Sequence, residues 1–271
     1  MGLRELFRKY TSFAQPTRAP QTAAIVLRAA HLPDEGIVHG RLRQLWPGDG
    51  APGQSHREDT TVNIAIPGGS LVYQLIAEPF DLGGLRGAIE DASTWWPEAV
   101  KSFRGHQAYV RVATSSSVLA PVRTGLVHTA ALTAIIEELA AARGAILSGV
   151  VWNDERVYPA DFVIQHARTA SASHPPLPIW LGIHFANPGA AVPAYTSGLT
   201  SFGLMNIEVV DERPSHDEVV AAVSELAHRL LTHGPVVKEG DAIGAARAAE
   251  ARVRLVPSFR RPTETVYRIV W

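Results

Sequence analysis

Trp152, Trp180, His184 and Tyr195 are the residues whose types and spacing best suit a ligand. Their rings would wall one cleft if the strands that carry them lie side by side, with His184 as the polar participant. That make-up suits a small-molecule enzyme or sensor. Lys238 and Asp241, on a loop made flexible by Gly240 and Gly244, would sit beside it. Two blander explanations compete: buried aromatics are ordinary core residues, and charged residues among glycines are ordinary turn residues.

Other chemistries have less support. A serine mechanism would draw on Ser197 and His184, but Thr196-Ser197-Gly198 lacks the G-x-S-x-G pattern. Closeness in sequence does not supply hydrogen-bond geometry either. The 11 histidines include no H-E-x-x-H and no short pair, and His166, His174 and His184 fall on a helix, a loop and a strand. No metal centre is therefore expected. Thr114–Ser117 has hydroxyls ahead of a helix, but neither the glycines nor the lysine of a phosphate loop. The absence of G-x-G-x-x-G and G-x-x-x-x-G-K argues against nucleotide cofactors. No cofactor is expected, and no catalytic residue is assigned.

Composition narrows the partners. Lys and Arg number 25 against 26 Asp and Glu, so no overall charge draws the chain to nucleic acid or to an anionic bilayer. There is no cysteine, which removes disulfides, thiol catalysis and thiolate metal sites. Met1–Tyr10 mixes charged and apolar residues and does not read as a signal peptide, so the cytoplasm is the expected location. No run of apolar residues is long enough for a transmembrane helix.

The elements that must position these residues follow from periodicity. Residues 1–21 read as an N-terminal segment and linker, with a short amphipathic turn over 3–10. Thr22–Ala30 is the first strand. Thr61–Ile66 and Leu71–Leu75 alternate around Pro67-Gly68-Gly69-Ser70 as a hairpin. Asp81 caps a helix that Pro97 interrupts, and of Trp95 and Trp96 one belongs in the core and one at a boundary. Gln107–Ala113 supplies another strand. Leu126–Trp152 is the clearest helix-to-strand unit, an amphipathic helix over 126–143 with Thr124 as N-cap and Gly144 at its end. Ser215 and Glu218 form a capping box at the head of the last helix.

This order predicts an α+β fold of tandem split-βαβ, ferredoxin-like blocks, a first over 22–114 and a second over 115–271, packed as one unit.

The segments LVHTAALTAIIEELAAARGAILSGVVWN, LPIWLGIHF, YTSGLTSFG and LLTHGPVVKEGDAIG, taken together, resemble the uncharacterised bacterial family DUF4261. The resemblance runs from Thr22 to Trp271. It implies one coherent bacterial domain and carries no reaction and no catalytic residues onto these positions.

Two functions compete. The first is a non-enzymatic binding or accessory protein of a bacterial assembly, whose partner is another protein or a second copy of the chain. The second is the small-molecule enzyme or sensor with a cleft near Trp152, Trp180, His184 and Tyr195. Nothing in the sequence names the small molecule, and nucleic acid ranks below both.

Overall fold

A strand that is apolar on both faces needs cover on both, and a sheet grows around it. In the computed structural model, which describes residues 20–46, 51–142, 147–186, 193–211, 213–243 and 251–271, that strand is β1 (Gln21–Leu27), buried from Ala23 to Leu27. Beyond it in the chain come β2 (Ser55–Glu58), β3 (Thr61–Ile66), β4 (Gly69–Ile76), β5 (Ala108–Ser116), β6 (Leu147–Trp152) and β7 (Arg156–Tyr158). They form a seven-stranded sheet in the order β2-β3-β4-β5-β1-β6-β7.

Every pair in this sheet is antiparallel. The hairpin of β3 and β4 turns on Pro67-Gly68 alone, because Ile66 already pairs with Gly69. Gly68 sits there at φ 65°, in the left-handed region that glycine enters without cost.

Six helices belong to the same unit: α1 (Glu35–Gln44), α2 (Arg86–Ala92), α3 (Ala99–Ser102), α4 (Pro121–Ala141), α5 (Ala160–Ala167) and α6 (Leu177–Trp180). α2 and α3 cover one face, where Ala24, Val26, Val151 and Val157 meet Ile89, Ala92 and Phe103. Trp96 packs against this cluster, whereas Trp95 stays 47% exposed.

α4 covers the other face, and it differs from the sequence expectation in two ways. It starts at Pro121, whose missing N–H is no loss in the first turn. Thr124 lies inside the helix, its hydroxyl donating to the Ala120 carbonyl. It is also buried almost all round from Thr124 to Ile136, because α1 and α5 pack on it as well as the sheet. Thr129 and Thr133 survive there by donating to the carbonyls of Gly125 and Thr129 at 2.8 and 2.9 Å. Gly144, expected at the helix end, lies outside the described residues, as do Gly244 and the segment 3–10.

The fold is α+β, and the chain separates into two compact units, Pro20–Trp180 and Leu181–Trp271. The split-βαβ arrangement expected over 22–114 would place β1 beside a parallel strand, yet both neighbours of β1 are antiparallel. β6 supplies the second edge that β1 requires, so the first sheet continues past residue 115.

The second unit is a mixed five-stranded sheet in the order β11-β12-β10-β9-β8, made of β8 (Gly182–Phe185), β9 (Ala194–Ser197), β10 (Ile207–Val209), β11 (Arg252–Pro257) and β12 (Thr265–Val270). β10 and β12 run parallel, and the other pairs antiparallel. α7 (His216–His233) lies between β10 and β11 in the chain and packs on β10. It begins with the expected capping box, in which the Ser215 amide donates to Glu218 Oε2 at 2.8 Å while the Ser215 hydroxyl accepts from the Glu218 amide.

Candidate functional site on the second sheet

Residues paired directly across neighbouring strands show their side chains on the same face. In the second sheet one such line crosses all five strands: His184 pairs with Tyr195, Tyr195 with Glu208, Glu208 with Arg268, and Arg268 with Arg254. Their strand neighbours Ala194, Ile207, Val209, Val253 and Ile269 alternate onto the opposite face and are buried. The strand period therefore separates an apolar face from a line of polar and aromatic groups.

Glu208 anchors this line. It is only 2% exposed, a position a carboxylate tolerates only when partnered. Its partners are the Arg268 guanidinium at 2.9 Å, the Phe259 amide at 3.1 Å and the Ser258 hydroxyl. Ser258 Oγ in turn accepts from the amides of Arg260 and Arg261, both at 3.1 Å. Arg268 also donates to the Pro257 carbonyl at 2.9 Å. One buried carboxylate thus fixes the turn that follows β11.

That turn delivers Arg260 to the aromatic part of the line. Its guanidinium carbon lies 3.8 Å from the centre of the Tyr195 ring, within cation–π range. His184 stacks on the same tyrosine, centroids 4.9 Å apart and planes 17° from parallel. His184 Nε2 and Ser197 Oγ are hydrogen-bonded at 2.9 Å. Among the described residues, Arg254 and Arg260 have no carboxylate partner.

The residues singled out from the sequence fall into three groups. His184 and Tyr195 are brought together as described. Lys238 and Asp241 form a turn in which the Lys238 amide donates to Asp241 Oδ2 at 3.0 Å, Gly240 takes φ 85°, and Arg229 pairs with Asp241 at 3.5 Å. Trp152 and Trp180 belong to the first unit and are fully buried against consecutive residues of α4. Trp152 meets the His128 ring edge-on with centroids 5.0 Å apart, and Trp180 Nε1 donates to Thr129 Oγ1 at 2.9 Å.

The line combines an exposed cation, a stacked aromatic pair and a histidine–serine contact. Ser197 and His184 have the contact that a nucleophile and a base need. The buried carboxylate of the line, however, is spent on Ser258, Phe259 and Arg268 and does not orient His184. No group of three or more His, Asp or Glu residues among the described ones is placed to hold a metal ion.

Glu208, Ser258, Arg260 and Arg268 escape a motif search. Their only trace in the sequence is a lone charge inside an apolar strand, Ile-Glu-Val in β10 and Tyr-Arg-Ile in β12.

The fold and this line define the second unit as a mixed-sheet α+β module with a cationic and aromatic row. The segment 195–270 matches a family model described as Domain of unknown function (DUF4261). The match holds Tyr195, Ser197, Glu208, Arg260 and Arg268 and leaves out His184, Trp180 and Trp152. It is narrower than the resemblance drawn from Thr22 onward. No curated protein and no solved structure matches the chain.

Proposed function

We propose that the Leu181–Trp271 unit is a non-enzymatic recognition module that takes an acidic segment of a partner protein on its polar line. The observation that carries this reading is Arg260, held over the Tyr195 ring at 3.8 Å by a turn that Glu208 and Ser258 fix. Placing a cation in advance removes much of the ordering cost of binding. Arg254 stands at the end of the same line, exposed.

A hexaglutamate peptide, titrated calorimetrically against the full chain beside its hexaglutamine counterpart, tests this reading. The acidic peptide is expected to bind with an affinity that falls as salt rises. Arg260→Ala is expected to weaken it about tenfold, the loss of one charge-assisted contact of roughly 1.4 kcal/mol. Equal binding of both peptides, or an undiminished affinity in the variant, removes the reading.

The hydrogen bond between His184 and Ser197 favours a second reading, acyl transfer on a small molecule with Ser197 as nucleophile. A fluorophosphonate probe separates the two. Labelling of the intact chain that disappears in Ser197→Ala supports the enzyme, and no labelling leaves the recognition module.

A further inference from the structure

We infer that the β6–β7 hairpin of the first unit is a binding site for a small oxyanion, a carboxylate or a phosphate, with Arg156 as its cation. The inference concerns the unit that the recognition reading does not use, so either can fail without the other.

Arg156 opens β7, an edge strand only three residues long. It pairs with Trp152 across the hairpin, and the two side chains share one face of the sheet. Edge arginines ordinarily extend their guanidinium into water, yet Arg156 is only 6% exposed. All three guanidinium nitrogens are buried, and the acceptor beside them is the neutral Tyr158 phenol, at a geometry too poor to satisfy them. No carboxylate pairs with it among the described residues.

The acids nearest in the chain are committed elsewhere or turned out. Asp154 is paired with Arg111 at 2.9 Å, and Glu155 is exposed. The phenol beside Arg156 is no counter-ion. The Tyr158 hydroxyl donates to the Ile179 carbonyl at 3.2 Å, and burial pushes its pKa up while the neighbouring guanidinium opposes that only in part.

The indole beside Arg156 has the same deficit. Trp152 Nε1, a donor and nothing else, is buried without a partner. The His128 ring, edge-on to Trp152 at 5.0 Å, shares a hydrogen bond of 2.9 Å with Thr114 Oγ1 through Nδ1 and also has the Thr22 backbone beside it.

A guanidinium fork and an indole N–H thus lie on one hairpin with no anion to receive them, the neutral Tyr158 phenol being the acceptor set against the guanidinium. A buried unpaired charge is among the most costly features a fold can hold. The chemical complement is a group that only accepts, carries negative charge and presents two oxygens in a plane, which is what a carboxylate or phosphate offers an arginine. The nitrogens are closed from solvent, so entry requires the hairpin to part from the sheet. β7 is an edge element with one hydrogen-bonded neighbour in the sheet, β6.

Thermal unfolding of the full chain tests the site in chloride, acetate and phosphate at matched ionic strength, with Arg156→Met beside the natural sequence. The natural chain is expected to gain about 2–4 °C in acetate or in phosphate. The responding salt identifies the oxyanion. Arg156→Met is expected to melt higher than the natural chain in chloride and to lose that specific gain. Equal anion shifts in both chains would mark a general salt effect and overturn the inference, as would a lower midpoint for Arg156→Met in chloride. Arg156→Lys, which keeps the charge without the fork, gives an independent measurement. At least a fivefold weaker anion response then supports the site, and an undiminished one overturns it.

Discussion

Arg268 in the second unit and Arg156 in the first are both strand arginines turned largely into protein, and the two units treat them in opposite ways. Arg268 meets Glu208 and the Pro257 carbonyl through Nη2, both at 2.9 Å, while its Nε is buried without a hydrogen bond. Arg156 has no such partner on any nitrogen. The first arrangement is a completed structural unit, because the ion pair also secures Ser258 and the turn that carries Arg260. In the second, half of an interaction is folded and the other half has to come from outside. Burial alone therefore does not tell a structural charge from a functional one; the state of its partners does.

Replacing each arginine by methionine, similar in length and uncharged, puts this contrast to its strongest test. Arg268→Met leaves the Glu208 carboxylate buried without its cation, and a loss of roughly 3–5 kcal/mol in urea unfolding is expected. Arg156→Met removes an unpaired charge, and a gain of about 1–4 kcal/mol is expected from the same measurement. The opposite signs are the prediction. Comparable losses in both variants would show that Arg156 is paired within the fold after all.

His128 sharpens the account of the first unit through pH. Burial lowers its pKa from 6.5 to about 3, with the Thr22 backbone pulling weakly the other way. Between these values the unfolded chain binds a proton that the folded imidazole refuses, so stability falls as pH falls through that window. One proton corresponds to about 1.4 kcal/mol per pH unit, or roughly 2–3 kcal/mol lost by pH 4.5. Urea unfolding at pH 7 and pH 4.5 is expected to show this loss in the natural chain and a shallower one in His128→Leu. Parallel pH profiles would mean that the ring takes up its proton without unfolding, in a less closed interior than the coordinates of Trp152 and Thr114 imply.

Local signals in the sequence carried the helices and hairpins well. The Ser215–Glu218 box and the Val62, Ile64, Ile66 alternation each rest on contacts only a few residues apart, and both elements stand where periodicity puts them. Strand order was out of reach. That β6 pairs with β1 is decided by the need to cover both edges of an apolar strand, and more than a hundred residues separate the two.

The candidate line shows the same divide. His184 and Tyr195 were visible as residue types, and their stacking follows from one short antiparallel pairing. Glu208, Arg268 and Ser258 come together from two strand interiors and a turn, so no spacing along the chain announces them. The all-round burial of α4 was hidden for a related reason. Periodicity reads it as an amphipathic helix, and its burial on the other sides depends on hydroxyls bonded back into the helix and on the contact of His128 with Thr114.

Arg260 supplies the smallest expected effect, and it tests whether the second unit separates its supporting charge from its recognising one. The side chain is exposed and contributes a cation–π contact to Tyr195, worth about 0.5–1 kcal/mol at such a site. Arg260→Ala should therefore cost no more than about 1 kcal/mol in urea unfolding while weakening the acidic peptide about tenfold. Ser258→Ala is the control from the supporting side. It withdraws one hydrogen bond from Glu208 and the acceptor for two backbone amides, so about 1–3 kcal/mol of stability should go with it. If Arg260→Ala costs as much stability as Ser258→Ala, Arg260 is a strut of the turn like Arg268, and the cation offered to a partner must then be Arg254.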